Sequence, residues 1–153
     1  LQGQIYGVGV NGCIPWAFIQ TLNWVGGDPN PGCAFLVDGK DYSVRDGYYF
    51  FKQMTRAGQR GMKVAEVDSD EDDVSLAAFA NNGTDNPDAF VVINTSGDDK
   101  TLTIEVDGAQ SQTFEAYRTS AADKYKSLGS FSLTDGKIQY KFPENSVTTF
   151  FAK

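Results

Sequence analysis

Aromatic rings and hydrogen-bonding side chains are concentrated between residues 16 and 30 of this 153-residue chain. The residues of both kinds that could share one ligand are Trp16, Gln20, Asn23, Trp24, Asp28 and Asn30. Planar rings stack on the apolar C–H faces of sugar rings, while amides and carboxylates bind the hydroxyl groups. The stretch is therefore a candidate carbohydrate-binding surface. The alternative is that Trp16 and Trp24 are core packing residues, and the sequence leaves both interpretations open.

A second candidate site is the acidic run Asp68–Asp73, whose carboxylates could supply oxygen ligands to calcium. The run lacks the central glycine and the downstream glutamate of an EF-hand loop. A solvated acidic turn that protects the edge of a sheet is the competing interpretation. We therefore expect no cofactor, and we keep Asp68, Asp70 and Asp72 as the residues of the calcium alternative.

The chain contains no histidine, which excludes Ser-His-Asp triads and Cys-His nucleophile pairs. Its two cysteines, Cys13 and Cys33, are separated by a loop-rich stretch. If they form a disulfide, closing that loop of about 20 residues contributes about 3 kcal/mol and implies an oxidising compartment. Two separate buried thiols are the alternative.

The net charge of −7 is unevenly distributed, because residues 1–60 carry five basic and four acidic side chains, which leaves −8 for the rest. An acidic surface repels phosphate groups, so nucleic acid and anionic membranes are not expected partners. No apolar run approaches the roughly 20 residues that span a bilayer. Neutral or cationic ligands fit this charge better.

The elements that must position the first candidate site lie before residue 40. Gln4–Val10 alternates weakly and predicts a strand. Cys13–Leu22 is a nearly continuous apolar run, which is typical of a strand buried on both faces of a parallel sheet. Gly26–Gly39 contains repeated glycine, proline and aspartate turn signals and predicts a loop.

One helix follows this loop. Ser43 and Asp46 form the spacing of a capping box and predict its beginning, and Gly58 predicts its end. Gly47 in its first turns costs about 1 kcal/mol relative to alanine, so aromatic packing must hold the helix in place. The aromatic block Tyr48–Phe51 points in several directions on a helix, which favours packing over a flat binding platform.

After residue 60 the apolar period becomes two, and no further helix is predicted. Asp135–Gly136 between two alternating runs is a strong hairpin signal. The sequence thus predicts a mainly β fold: an antiparallel, Greek-key-like β-sandwich over residues 61–153, preceded by a strand–loop–helix segment over residues 1–60. The eight predicted strands are Met62–Val67, Val74–Ala80, Ala89–Asn94, Leu102–Val106, Thr113–Tyr117, Leu128–Leu133, Ile138–Phe142 and Val147–Phe151.

Three segments carry a resemblance to a known family: FVVINTSGDDKTLTIEVDG from Phe90, FEAYRTSAADKY from Phe114 and FPENSVTTFFAK from Phe142. Together they resemble the C-terminal β-sandwich of glycoside hydrolase family 30 and its clan relatives. Arg45–Val64 resembles the last barrel helix and the exit into the sandwich. Gly12–Gln20 resembles the eighth strand of the (β/α)8 barrel, which implies that Trp16 lies at the substrate cleft. Arg118, in the second segment, is expected to be structural.

The resemblance implies a non-catalytic role for this chain, because the family's two catalytic glutamates lie on earlier barrel strands. None of the five glutamates present matches either position: Glu66, Glu71, Glu105, Glu115 and Glu144. The implied function is that of the C-terminal portion of a secreted, retaining hydrolase of a β-linked polysaccharide such as β-glucan, xylan or galactan. It would support an upstream catalytic barrel and help to bind substrate, and Leu1 is expected to be a truncation.

Two other functional classes remain open from the sequence. The chain could be a free-standing carbohydrate-binding module whose tryptophans line a sugar groove. It could also be a structural or interaction β-sandwich without a ligand of its own.

Overall fold

The structure is a computed structural model that describes residues 18–21 and 32–153. Within them the protein is mainly β, as predicted, and no helix is long and apolar enough to cross a membrane. The elements are β1 (Ile19–Thr21), β2 (Phe35–Asp38), β3 (Asp41–Val44), α1 (Asp46–Ala57), β4 (Lys63–Ala65), β5 (Val74–Ala80), β6 (Ala89–Asn94), β7 (Lys100–Glu105), β8 (Thr113–Thr119), β9 (Lys126–Ser132), β10 (Lys137–Phe142) and β11 (Ser146–Ala152). The predicted strand Gln4–Val10 lies outside the described residues.

The chain divides into two compact units, one extending to Lys52 and the other spanning Gln53–Lys153. In the first unit β1 pairs with β2 in parallel, and β2 pairs with β3 antiparallel. The parallel pairing predicted for Cys13–Leu22 is therefore confirmed for the part that forms β1, but the predicted burial on both faces is wrong there, because Ile19 and Thr21 are exposed. The loop predicted for Gly26–Gly39 is wrong where β2 lies. Gly39, with φ of +61°, forms the turn between β2 and β3, so the Asp-Gly signal ends a hairpin strand.

The helix begins later than predicted. Ser43 is not its cap, because it lies in β3 opposite Leu36. Extended pairing with β2 therefore overrides the local capping signal, and α1 begins at Asp46. The Arg45 N–H is bonded to the Ala34 carbonyl at 2.8 Å, which ties the start of the helix to β2.

Two glycines of this helix region are required by close approach. A Cβ at Gly47 would lie 2.5 Å from the Gly32 carbonyl oxygen and 2.6 Å from that of Cys33. Glycine lowers the helix propensity at this position, but it is needed because any larger residue would clash with the backbone of residues 32 and 33. Gly58 ends the helix as predicted, and a Cβ there would lie 2.8 Å from the Phe79 ring.

All eight strands predicted after residue 60 are present, with bounds that differ by up to two residues at most ends and are identical for β5 and β6. They form two antiparallel sheets. The larger has the order β4-β5-β6-β11-β8-β9, and the smaller contains β10 and β7. The chain crosses between the sheets after β6, β7, β9 and β10, as in a Greek-key sandwich.

The core lies between these two sheets, where alternate residues of each strand point inward. The stacked rings of Phe90 and Phe150, with centroids 4.6 Å apart, lie at its centre. The buried members of the core are Val74, Phe90, Val92, Phe114, Ala116, Ile138, Phe142 and Phe150.

The opposite face of the six-stranded sheet is covered by the last turns of α1. Gln53 is fully buried there, and its Nε2 donates to Thr119 Oγ1 at 3.0 Å. Thr149 Oγ1 donates to the Gln53 carbonyl at 3.4 Å. The central strands of the large sheet are therefore covered on both faces, which explains why β6 and β11 are buried almost throughout.

The turn predicted at Asp135–Gly136 is confirmed, but the strands on its two sides do not pair as a hairpin beyond one bridge between Thr134 and Lys137. Both residues have positive φ, 50° and 75°, and Thr134 and Lys137 exchange two backbone hydrogen bonds of 3.0 Å. This is the geometry of a type I′ turn, which right-handed strand twist favours. The turn connects β9 of the large sheet to β10 of the small one.

Replacing Gly136 by alanine is expected to destabilise the protein by about 1 kcal/mol, because alanine resists left-handed backbone. No atom lies within 4 Å of the added Cβ, so the change in the free energy of unfolding reports the backbone strain alone and no steric clash. Gly97→Ala is the control, since that site is equally open but lacks positive φ; a change within about 0.5 kcal/mol is expected there. Equilibrium urea unfolding measures both, and equal effects would contradict the turn assignment.

Candidate functional site

Of the six predicted carbohydrate-binding residues, Gln20 is the one that the structure describes. It is the central residue of β1, lies opposite Leu36 of β2 and is half-buried. The other five lie outside the described residues: Trp16, Asn23, Trp24, Asp28 and Asn30. Their roles, and their relation to Gln20, therefore stay predictions.

The described surroundings of Gln20 are rich in aromatic side chains. The Phe35 ring contacts those of Phe18, Tyr42 and Tyr48 at centroid distances of 5.5, 6.3 and 5.4 Å. Phe51 contacts Phe18 at 5.8 Å, so the packing role predicted for the helix aromatics is confirmed for Tyr48 and Phe51. The rings meet edge to face or tilted, which is the arrangement of a packed cluster and not of one flat platform.

Sequence reasoning overlooked Tyr42, which is the most exposed aromatic side chain of this cluster at 71%. It lies on β3, which includes Ser43, the residue predicted to begin the helix. The signal that could have identified it is the turn at Gly39 followed by alternating residues. Phe18, Ile19 and Val44 are exposed in the same unit.

Cys33 is fully buried beside this sheet. Cys13 lies outside the described residues. The disulfide between them therefore stays a prediction.

The acidic run Asp68–Asp73 forms the connection between β4, an edge strand, and β5. Asp68 Oδ1 accepts the Ser69 N–H at 2.9 Å, and Glu71 forms an ion pair with Lys100. Among residues 18–21 and 32–153, no three acidic or cysteine side chains converge to hold a metal ion. Asp68, Asp70 and Asp72 are therefore not brought together, and the geometry agrees with an acidic turn beside a sheet edge.

A buried ion pair ties β8 to the smaller sheet. Arg118 donates from Nε to Asp123 Oδ2 at 2.8 Å and also from Nη2, while its Nη1 donates to the Tyr140 hydroxyl at 2.6 Å. The Arg118 hydrogen bonds hold the pKa of Asp123 below its usual range, and a second bond from Lys126 adds to this. The structural role predicted for Arg118 is thus confirmed.

A groove of about 620 Å³ opens at one side of the sandwich core, in the second unit. Its apolar floor is formed by inner side chains of the facing sheets, among them Leu76, Phe90, Ile104, Val106 and Phe114. Acidic side chains lie around it: Glu66, Asp68, Asp88, Glu105 and Asp107. Sequence reasoning did not find this groove, because its two walls are about 30 residues apart in the chain.

No family model and no curated protein sequence matches this chain. Solved structures match it in fold. A family 30 endoxylanase from Clostridium papyrosolvens superposes with a TM-score of 0.64 and 19% identity, over 72% of this chain and 28% of its own. A family 30 subfamily 8 xylanase from Clostridium acetobutylicum gives 0.66 and 19%, over 76% and 30%.

The catalytic domain of family 30 xylanase C from Talaromyces cellulolyticus gives a TM-score of 0.66 and 18% identity, over 88% of this chain and 29% of its own. The chain thus has the fold of part of a family 30 glycoside hydrolase, as the sequence resemblance implied. It spans less than a third of the length of these enzymes.

Proposed function

We propose that this chain is the C-terminal, non-catalytic portion of a secreted glycoside hydrolase that acts on a β-linked polysaccharide. The observation that carries the proposal is the fold match, which covers most of this chain and less than a third of each xylanase. In this role the sandwich supports a catalytic barrel, and residues near β1 help to hold the substrate. Xylan is the preferred substrate class, because the three structures compared above are xylanases.

The ionisation of two described carboxyl groups, Asp99 and Asp123, is unlike that of a catalytic acid. A retaining glycosidase needs two carboxyl groups about 5–5.5 Å apart, one with a raised pKa. Asp99 and Asp123 instead have lowered pKa values. Hydrogen bonds from Lys141 and from the Glu144 N–H stabilise the charged form of Asp99, as those from Arg118 do for Asp123.

The described glutamates lie in places that suit ion pairs better than catalysis. Glu105 pairs with Lys137 at 3.3 Å and Glu115 with Lys153 at 2.9 Å, both on the surface of the sandwich. Assays of the chain alone on xylan, β-glucan and galactan should release no reducing ends. Hydrolysis by the purified chain, absent from a mock purification, would refute the proposed role.

We infer that the first unit, which contains β1, β2 and β3, docks against further barrel elements, because it has exposed apolar side chains. Phe18, Ile19, Tyr42 and Val44 are each at least 40% exposed. Apolar side chains grouped on one small unit are typical of a surface that packs against another part of a protein.

Substrate binding is tested by affinity electrophoresis and calorimetry with soluble xylan. We expect Trp16→Ala and Trp24→Ala each to weaken binding by at least about 1 kcal/mol, which is about fivefold in Kd, because a stacked ring is lost. Phe151→Ala is the control: it removes a partly exposed aromatic side chain from the second unit and should leave binding within about twofold.

The result also separates the other functional classes. Tight binding by a protease-resistant monomer would favour a free-standing carbohydrate-binding module. Absence of binding to xylan, β-glucan and galactan would contradict the substrate-holding role and favour a structural domain.

A further inference from the structure

The sandwich contains two asparagines in the tripeptide Asn-x-Ser/Thr, in which x is any residue but proline. The tripeptides are Asn82-Gly83-Thr84 and Asn94-Thr95-Ser96, and no other asparagine of the chain has serine or threonine two positions later. In secreted proteins this tripeptide is the acceptor of N-linked oligosaccharides, and occupied acceptors lie on surface loops. The structure places the two asparagines in opposite environments.

Asn82 lies in a tight turn that follows β5. The Thr84 N–H donates to the Asn81 carbonyl at 3.1 Å, and the two residues between them, Asn82 and Gly83, have φ of 53° and 79°. These values are typical of a type I′ turn, which the dipeptide Asn-Gly favours. Asn82 is exposed, and a Cβ added to Gly83 would meet no atom within 4 Å. The turn therefore has open space around it.

The side-chain amide of Asn82 can carry a sugar and keep its contact with the protein. Its Nδ2 donates to the Gly61 carbonyl at 3.0 Å. An amide nitrogen has two hydrogens, and this bond uses one of them. An N-glycosidic bond replaces one hydrogen and leaves the other, so a modified Asn82 still donates to Gly61.

Asn94 has neither the space nor a spare hydrogen. It is 1% exposed, and its Nδ2 donates to the carbonyls of Asp98 and Pro143, each at 2.9 Å. Its Oδ1 accepts the Ser96 N–H at 3.1 Å and the Ser96 hydroxyl at 2.7 Å. A sugar on this nitrogen would break one of the buried bonds and would have to occupy space that is already filled. A chain modified at Asn94 therefore cannot adopt this fold.

We propose that Asn82 is the acceptor of a single N-linked oligosaccharide and that Asn94 stays unmodified. The donor is an oligosaccharide carried on a polyprenyl diphosphate. Asn82 Nδ2 forms a bond to the anomeric carbon of the first sugar, and the bond from that carbon to the diphosphate oxygen breaks. Polyprenyl diphosphate leaves with the electron pair, and one Nδ2 proton is released to solvent. This modification rests on the secreted location proposed above.

The turn indicates when the transfer takes place. The Thr84 hydroxyl, which completes the acceptor tripeptide, donates to the Asn81 carbonyl at 2.8 Å in the folded chain. It also accepts the Asn86 N–H at 3.2 Å. Because the folded turn occupies this hydroxyl, we expect the oligosaccharide to be transferred before the turn forms, while the chain enters the secretory pathway.

The experiment is to secrete the full chain from a eukaryotic host behind a cleavable leader. The secreted protein should show one mobility shift that peptide N-glycosidase removes. Digestion in heavy-oxygen water followed by mass spectrometry should convert Asn82 to labelled aspartate and leave Asn94 unlabelled. The label is needed because Asn-Gly also loses its amide spontaneously, which in ordinary water before the digestion gives unlabelled aspartate.

The added leader makes this result independent of where the natural protein is located. The proposed secretion is tested separately, by locating the protein in cultures of its source. A chain that accepts the oligosaccharide but is retained inside its own cells would refute secretion alone. A secreted chain without the oligosaccharide would refute the acceptor role of Asn82.

Variants of both tripeptides assign the modified residue. Thr84→Ala and Asn82→Asp should each abolish the mobility shift, and Thr84→Ser should retain it. Aspartate is chosen because it tolerates the left-handed backbone of this turn. Ser96→Ala is the matched control, since it removes the second tripeptide and should leave the shift unchanged. If Ser96→Ala is not secreted, the unlabelled Asn94 of the wild-type protein gives the same answer.

Three outcomes would overturn the proposal. They are a secreted wild-type protein without an oligosaccharide, a heavy-oxygen label on Asn94, and a mobility shift that persists in Asn82→Asp.

Discussion

Replacing Phe150 by alanine is expected to lower the free energy of unfolding by about 3–5 kcal/mol, the range for truncating a buried phenylalanine. The side chain is 0% exposed and stacks on Phe90 at the centre of the core. Phe131, Tyr140 and Phe142 surround it with centroid distances of 5.5, 6.4 and 6.3 Å. Because rings on both sheets enclose the site, it cannot collapse around a smaller side chain without opening the sandwich.

Phe151→Ala is the matched control for this experiment. Phe151 is adjacent in β11 but lies on the other face of the sheet, is half-exposed and contacts Tyr117 at 6.0 Å. Its truncation should cost about 1–2 kcal/mol, because less apolar surface returns to water. Equilibrium urea unfolding followed by circular dichroism measures both variants. Equal losses would contradict the assignment of Phe150 to the core.

Replacing Arg118 by methionine is expected to lower the free energy of unfolding by about 2–3 kcal/mol at neutral pH. Asp123 then loses its strongest hydrogen bonds while staying buried, and hydrogen bonds to charged groups are worth about 1.5–3 kcal/mol. Lys126→Met removes the other cation beside the same carboxylate. Lys126 is 59% exposed against 17% for Arg118, so its loss should cost less than about 1 kcal/mol.

The Arg118 effect should depend on pH in a defined direction. Arg118 lowers the pKa of Asp123 in the folded protein, so the stabilisation is present above the unfolded pKa of about 3.9. It is lost as the pH falls through the lower folded pKa. The difference between wild type and Arg118→Met should therefore shrink in acid, and a difference independent of pH would contradict the ion-pair explanation.

The sequence predicted the sandwich well because its strands have one buried face and end at strong turn signals. Val74–Ala80 and Ala89–Asn94 were predicted with their observed bounds, and Asp135–Gly136 adopts the turn that its residues favour. In each case a local pattern and the tertiary environment favour the same structure.

The first unit was predicted less well because there local signals and tertiary pairing disagree. Ser43 has the spacing of a helix cap but pairs with Leu36 as a strand residue. The groove beside β7 could not be predicted at all. It depends on the unequal number of strands in two facing sheets, and no single segment carries that information.

The position of β11 in the large sheet has a consequence for synthesis of the protein. β6 and β8 are joined only through β11 among the described strands, and β11 is the last of these to leave the ribosome. Until Ser146–Ala152 emerge, the halves β4–β6 and β8–β9 cannot form one continuous sheet, and each exposes an unpaired hydrophobic edge. The six-stranded sheet therefore cannot become continuous before Ser146–Ala152 have been synthesised, and any earlier intermediate carries two separate halves of that sheet.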